Sequence, residues 1–292
     1  MKVIRAAEMG MCFGVRDALK IAEQVRKPSQ VTIHGELVHN PVVMQRLQDS
    51  GFHQSPEDDR HSCVETPLVL ITAHGVSNAE RQRLQAAGKQ LIDTTCPLVR
   101  RVHEAAMELK SEGRHVLLIG KPGHVEVRGI VEDLDSYDVI ASSSEVICYT
   151  SRNLGIVCQT TMPPDVVTEI CSYIQLHNPL ANIRLIDTVC HPTRRRQSAL
   201  QEMLGRVDAV VVVGGRNSNN TRRLVQLCHD QLTPALHVES ANELEPEWFA
   251  DVETVGLTAG TSTLDETIDA VQKKLEQMSG RIIESQVNEG DR

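Results

Sequence analysis

The sequence predicts an α/β fold: three similar small parallel-sheet α/β units in a pseudo-threefold trefoil around a central cleft. Three observations predict it. Short apolar runs of strand length alternate with segments of helical period, the pattern of parallel sheets covered by helices. The stretch Leu91-Ile92-Asp93-Thr94-Thr95-Cys96-Pro97 recurs as Leu185-Ile186-Asp187-Thr188-Val189-Cys190-His191-Pro192. A third cysteine, Cys12, lies upstream, so one cysteine returns at intervals of roughly 90 residues, as in a repeated unit. The expected units are 1–96 with Cys12, 97–187 with Cys96 at its start and 188–284 with Cys190 at its start, followed by a polar tail, 285–292.

In the first unit, Val15, Ala18, Leu19, Ala22 and Val25 follow helical spacing, and Pro28 ends that helix. Val31 to Ile33 reads as a strand opening into the loop 34–40, and Val43 and Leu47 mark a second helix. The polar stretch 53–66 reads as a surface loop. Leu68 to Thr72 is an unbroken apolar strand of the kind buried on both faces. Ser77 and Glu80 suit a capping box for a helix ending near Gly88, and Gln90 to Asp93 is the strand before Cys96. The second unit repeats the order: a helix with Val99, Val102, Ala106 and Leu109 inward, strands at His115–Ile119 and Leu154–Val157, a helix opened by Pro163 and Pro164, and a strand at Ile183–Ile186. In the third, Leu200, Met203, Leu204 and Val207 mark a helix, and strands fall at Ala209–Val213 and Val255–Thr258. Thr263 and Glu266 suit a second capping box, before a helix with Ile268, Val271, Leu275 and Met278 inward. Arg281 to Ile283 reads as a final strand, and the chain from Ser285 as a frayed tail.

Aromatic residues make up 2% of the chain and the formal net charge is −9, which leaves neither stacking platforms nor a basic face for nucleic acid. No apolar run reaches the roughly 20 residues of a membrane span. The first residues lack the apolar stretch of a signal peptide, so the expected location is cytoplasmic. None of the eight cysteines forms a Cys-x-x-Cys pair, so a metal site has to be assembled from distant parts of the chain.

In parallel sheets, ligands bind outside the carboxyl ends of the strands. The polar loops at those ends carry His39, His74, His124 with Glu126, Thr160, Asn217–Asn220 and Ser262. If the three units face one another, these loops and the three cysteines converge, and several helix N-termini offer anion sites there. Three thiolates can hold a metal or an iron–sulfur cluster; with only three repeat-matched cysteines, one iron of a cluster would stay open to substrate. Zinc on the three cysteines and a histidine satisfies the same residues, in a protein with no redox role. The imidazoles and the Ser218, Asn220 and Ser262 groups are donors of the kind that hold phosphate oxygens. Glu126 with Thr160 could supply a proton, provided its carboxyl is shielded from water. Arg194-Arg195-Arg196 reads as a solvated or inter-domain face that could also meet an acidic electron donor.

These stretches carry a resemblance. Met11-Cys12-Phe13-Gly14-Val15, Val38-His39-Asn40, Ala73-His74-Gly75-Val76, Asp93-Thr94-Thr95-Cys96-Pro97, Gly123-His124-Val125-Glu126, Gln159-Thr160-Thr161, Asp187-Thr188-Val189-Cys190, Gly214 to Asn220 and Thr258-Ala259-Gly260-Thr261-Ser262 resemble, in order and over nearly the whole chain, the LytB-type 4-hydroxy-3-methylbut-2-enyl diphosphate reductases. The resemblance implies an oxygen-sensitive [4Fe–4S] cluster on Cys12, Cys96 and Cys190, its fourth iron open to the substrate hydroxyl. It implies two-electron removal of that hydroxyl as water, giving isopentenyl and dimethylallyl diphosphate, the last step of the methylerythritol phosphate route to isoprenoids. By position, Glu126 delivers protons with Thr160 and His124 nearby. His39, His74, His124, Ser218, Asn220 and Ser262 hold the diphosphate, and ferredoxin or flavodoxin supplies electrons. The chain departs from the family pattern at Asn219, where many relatives have serine, at Val125 in place of a common proline, and at His191-Pro192 in place of Tyr-Ala; the last bears on the outer shell of a cluster.

Overall fold

The computed structural model describes residues 1–57 and 63–288, with side chains described through Met278. The strands are β1 (Lys2–Arg5), β2 (Val31–His34), β3 (His53–Ser55), β4 (Leu68–Ile71), β5 (Gln90–Asp93), β6 (His115–Ile119), β7 (Tyr137–Ile140), β8 (Asn153–Cys158), β9 (Asn182–Leu185), β10 (Ala209–Val213), β11 (Ala235–Val238) and β12 (Thr254–Ala259). The helices are α1 (Phe13–Glu23), α2 (Pro41–Asp49), α3 (Asn78–Ala86), α4 (Pro97–Ser111), α5 (Val125–Val131), α6 (Pro164–His177), α7 (His191–Leu204), α8 (Asn219–Asp230) and α9 (Asp265–Asn288). Among the described residues the strands form three four-stranded sheets, β3-β2-β4-β5, β7-β6-β8-β9 and β11-β10-β12-β1, and the pairings are parallel.

All three sheets have one order: the second strand outside the first, then the third, then an edge strand leading to a cysteine. In the third sheet that edge strand is β1, from the opposite end of the chain. The expected unit 1–96 therefore gives up its first strand to the sheet of residues 209–259. The chain accordingly packs as two compact units, Met1–Cys12 with His191–Arg292, and Phe13–Cys190. The second of these contains two complete sheets.

Both faces of the sheets are buried, as the unbroken apolar strands require. In the β6–β9 sheet, Leu117, Ile119 and Ile156 pack with Val167, Ile170 and Ile174 of α6. The alternate residues Val116, Leu118 and Val157 pack with Val102, Ala106 and Leu109 of α4 and Ile130 of α5. The sheet of β10 and β12 divides in the same way between Ile268, Val271 and Leu275 of α9 and Leu200, Met203 and Leu224 of α7 and α8. Gly155 of β8 and Gly256 of β12 occupy matching places: a Cβ would stand 2.8 Å from Leu109 at one and 2.7 Å from Met203 at the other. Each glycine lets a helix lie close on its sheet.

Several expectations are revised. His53–Ser55 is not loop but the edge strand β3; a strand of three residues is too short to show an alternation. Residues 58–62 of that stretch lie outside the described residues, as do 289–292. Tyr137–Ile140 and Ala235–Val238 are edge strands, half exposed and without the apolar run that marks a central strand. Arg281–Ile283 is not a strand but part of α9, because the helical period continues past Met278. Ser77 caps α3 by accepting from Glu80 N at 3.0 Å, but the Glu80 carboxylate is held by His34 Nε2 at 3.0 Å and Arg83 at 2.7 Å. Thr263 donates its hydroxyl to Val213 O at 3.0 Å, tying its loop to β10.

Candidate active site

The repeated Asp-Thr-x-Cys stretch folds identically in its two copies. Asp93 Oδ1 accepts from Thr95 N at 2.9 Å and Asp187 Oδ1 from Val189 N at 3.1 Å, the local turn that aspartate favours. Thr94 and Thr188 each donate a hydroxyl to a carbonyl at the end of the neighbouring strand, Ile71 O and Cys158 O, at 2.6 Å. Burial works against the Asp93 carboxylate, but hydrogen bonds from Thr95 and Arg81 outweigh it and hold its pKa below the ordinary range.

The cysteine amides then make one equivalent bond. Cys96 N donates to Ala73 O, Cys190 N to Thr160 O and Cys12 N to Thr261 O, each at 3.0 Å. A helix begins directly after each cysteine: α1 at Phe13, α4 at Pro97 and α7 at His191. All three cysteines are half-buried, on three copies of one strand-to-helix turn. Each turn sets a thiol at an anion-favouring helix start, the chemistry of an iron–sulfur ligand. Gly14 makes room for one of them, since a Cβ there would stand 2.4 Å from Cys96 Sγ.

Within Phe13–Cys190, three histidines come together from loops at the ends of β2, β4 and β6. The rings of His39 and His74 stack with centroids 4.3 Å apart, and His124 meets them edge-on at 5.5 and 5.8 Å. His124 is the N-cap of α5, its Nδ1 accepting from Glu126 N at 3.1 Å. The neutral ring therefore carries its hydrogen on Nε2, as a donor pointing away from the helix. His39 Nδ1 donates to Glu36 Oε2 at 2.9 Å, which fixes that ring.

Glu126, in the first turn of α5, is 2% exposed. Its Oε1 accepts from Thr160 N at 2.7 Å and its Oε2 from Thr160 Oγ1 at 2.9 Å. Burial pushes its pKa up to about 7, against the two Thr160 bonds and the attraction of His39. Near neutral pH the carboxyl thus exchanges a proton readily, as a general acid must. A cavity of about 350 Å³, lined by His74, Arg81, Thr95, His103, Glu126 and Gly129 among others, adjoins it.

In Met1–Cys12 with His191–Arg292, Asn220 repeats the placement of Glu126. It stands two residues after an N-cap, Ser218, as Glu126 does after His124. Its Oδ1 accepts from Thr261 N at 3.0 Å, as Glu126 accepts from Thr160 N, and Thr261 O receives Cys12 N as Thr160 O receives Cys190 N. The repeat thus carries a carboxyl in one copy and an amide in another. Ser218, Asn220 and Ser262 are buried polar residues, with Ser262 next to Thr261. Asn219 is buried in the first turn of α8.

Three features escaped the sequence. Glu57, expected in a surface loop, accepts from Glu36 N at 2.7 Å through Oε2, and its carbonyl accepts from Arg128 at 2.7 Å; only its place after Pro56 hinted at a fixed turn. Gln159 is fully buried beside Thr160, its Oε1 accepting from Lys121 N at 2.9 Å. Arg196 is not on a solvated face: it is buried and donates to Gly10 O two residues before Cys12, at 3.1 and 2.5 Å. A triple-arginine run carries no mark of which member turns inward.

Comparison with known proteins agrees with this architecture. The sequence is 34% identical over 291 residues to the 4-hydroxy-3-methylbut-2-enyl diphosphate reductase of Aquifex aeolicus, covering 97% of this chain and 99% of that one. It is 36% identical over 285 residues to the protein of the same name from Dehalococcoides mccartyi, covering 96% and 99%. The fold is similar to the solved E-1-hydroxy-2-methyl-but-2-enyl-4-diphosphate reductase of Plasmodium falciparum, with a TM-score of 0.83 at 26% identity over 92% of this chain and 86% of that one. It is also similar to a solved (E)-4-hydroxy-3-methyl-but-2-enyl diphosphate reductase, with a TM-score of 0.65 at 32% identity over 95% and 100%. A sequence model described as LytB protein matches residues 3–276. That match and the full-length relatives settle the family: this chain belongs to the LytB family.

Proposed function

We propose that the protein is a 4-hydroxy-3-methylbut-2-enyl diphosphate reductase, removing the allylic hydroxyl as water with two electrons and two protons to give isopentenyl and dimethylallyl diphosphate. The single observation that carries this reading is the buried Glu126–Thr160 pair beside three clustered imidazoles: a proton donor tuned near neutrality next to donors suited to a diphosphate. The family and its named relatives support the same assignment.

Cys12, Cys96 and Cys190 would hold a [4Fe–4S] cluster, which when bound supplies the electrons and a Lewis-acidic iron for the hydroxyl oxygen. The chain's own residues do the rest. His39, His74 and His124, with Ser218, Asn220 and Ser262, bind the diphosphate and so fix the position of the allylic carbon chain. His124 contributes its Nε2 hydrogen. Glu126 holds a proton at its carboxyl, and the Thr160 hydroxyl orients that carboxyl and can relay the proton to the departing oxygen. The second proton goes to carbon, so Glu126 must be recharged from solvent within each turnover. Ferredoxin or flavodoxin is the proposed electron donor. Among the described residues no helix is long and apolar enough to cross a membrane; we place the reaction in the cytoplasm.

Purification without oxygen, with iron and sulfide analysis and an optical spectrum before and after addition of the diphosphate substrate, tests the assignment. About four irons and four sulfides per chain, with a spectrum perturbed by substrate, are expected. A colourless protein holding only zinc would overturn it. In Glu126→Gln, cluster and substrate binding should persist while turnover is lost.

A further inference from the structure

We propose that His39, Glu57 and His74 form a second metal site, one that takes a divalent transition ion of the zinc type. One ligand atom from each of the three residues lies within 4.8 Å of the others. Two imidazoles and one carboxylate are the donor set of mononuclear zinc and ferrous sites, and imidazole ligands select such ions over magnesium or calcium.

The supporting contacts are those a metal site needs. His39 Nδ1 donates to the Glu36 carboxylate at 2.9 Å, which makes Nε2 the nitrogen that would take the ion, the arrangement found behind most metal-binding histidines. The same Glu36 donates its backbone N–H to Glu57 Oε2 at 2.7 Å, and Arg128 grips the Glu57 carbonyl at 2.7 Å. Two of the three ligands are therefore oriented by one loop residue. The His39 and His74 rings are neighbours, 4.3 Å between centroids, and ligation turns them out of their stack until both in-plane nitrogens face one ion. Tetrahedral zinc with bonds of about 2.1 Å requires ligand atoms roughly 3.4 Å apart, so binding draws all three side chains closer than the 4.8 Å within which their ligand atoms now lie. All three residues are half-buried, which shields the bound ion from water on one side.

His39 and His74 are also the proposed diphosphate ligands. An ion on their nitrogens removes the donors that the diphosphate uses, so zinc and substrate exclude each other. This exclusion rests on the proposed function; the metal site itself does not.

The test uses the anaerobically purified holoprotein, with zinc chloride as the probe and the cluster absorbance followed throughout. Calorimetric titration and elemental analysis of wild type should give one zinc per chain, with micromolar affinity and unchanged cluster absorbance. Glu57→Gln should bind zinc at least tenfold more weakly, with Glu57→Asp between the two. Turnover of wild type should be inhibited competitively by zinc, and that of Glu57→Gln should be at least tenfold less sensitive. Equal zinc affinity in wild type and Glu57→Gln would place the ion away from Glu57 and overturn the proposal, as would wild-type binding weaker than millimolar. Glu57-dependent binding without inhibition would support the metal site and count against the diphosphate role of His39 and His74.

Discussion

Replacing Glu126 by Gln gives the most direct physical test of the site. The carboxyl is buried, and its pKa rises from 4.5 to about 7 in the folded protein. Between those values the folded chain holds a proton that the unfolded chain has released. Stability therefore falls as pH rises through this window, and is level above about 7 and below about 4.5 for this group. The whole step is about 3 kcal/mol at ~1.36 kcal/mol per pH unit. Glutamine has the same shape, accepts from Thr160 N through its oxygen and has no charge to bury. The stability of Glu126→Gln relative to wild type should thus grow by most of that step, about 2–3 kcal/mol, between pH 5 and pH 8. At about 2–4 °C per kcal/mol, that separates the midpoints by several degrees. Anaerobic thermal unfolding of the two proteins at a series of pH values measures it. Parallel curves across that range would refute the reasoning, because Glu126 would then titrate alike folded and unfolded. Turnover carries the same signature with opposite use: as an acid, wild type should lose activity above about pH 7, roughly tenfold per unit.

Thr160→Val removes the hydroxyl that helps hold the Glu126 pKa down, so the alkaline limb of the turnover profile should move to higher pH as kcat falls; an unmoved limb would separate Thr160 from the proton chain. His124→Ala loses the α5 cap, worth about 1 kcal/mol, whereas His124→Asn keeps it. Both should raise the KM for the diphosphate, but only alanine should lower the unfolding midpoint. Gly14→Val forces a side chain against Cys96 Sγ, so iron and sulfide content should drop while far-ultraviolet circular dichroism stays the same. Arg196→Met removes the charged donors to Gly10 O and should cost about 2 kcal/mol, with cluster content falling further than that of Arg195→Met, whose parent side chain is exposed.

The sequence by itself determined the α/β class, the central strands, most helices and the repeat. These depend on local period and on apolar runs that must be buried wherever the chain carries them. It also singled out Cys96 and Cys190, because one turn written twice, Asp-Thr-x-Cys, specifies its own hydrogen bonds, and Cys12 by its spacing from them. Glu126 and Thr160 were legible as loop residues at strand ends, and the structure adds the two bonds between them and the burial that brings the carboxyl near neutrality.

Only the tertiary structure decided the long-range pairings. Lys2–Arg5 completes the sheet of β10 and β12 although more than two hundred residues separate them in the chain. A four-residue edge strand has no pattern that names its partner. The same holds for side chains whose role comes from what surrounds them. Glu57 and Arg196 are ordinary polar residues in the sequence, and packing against Glu36 and Gly10 gives each a fixed place. The match of Asn220 to Glu126 is likewise invisible without coordinates, since an amide and a carboxylate share no spelling. What makes them equivalent is one hydrogen bond to the backbone of a neighbouring loop, and that bond exists only once the sheets are built.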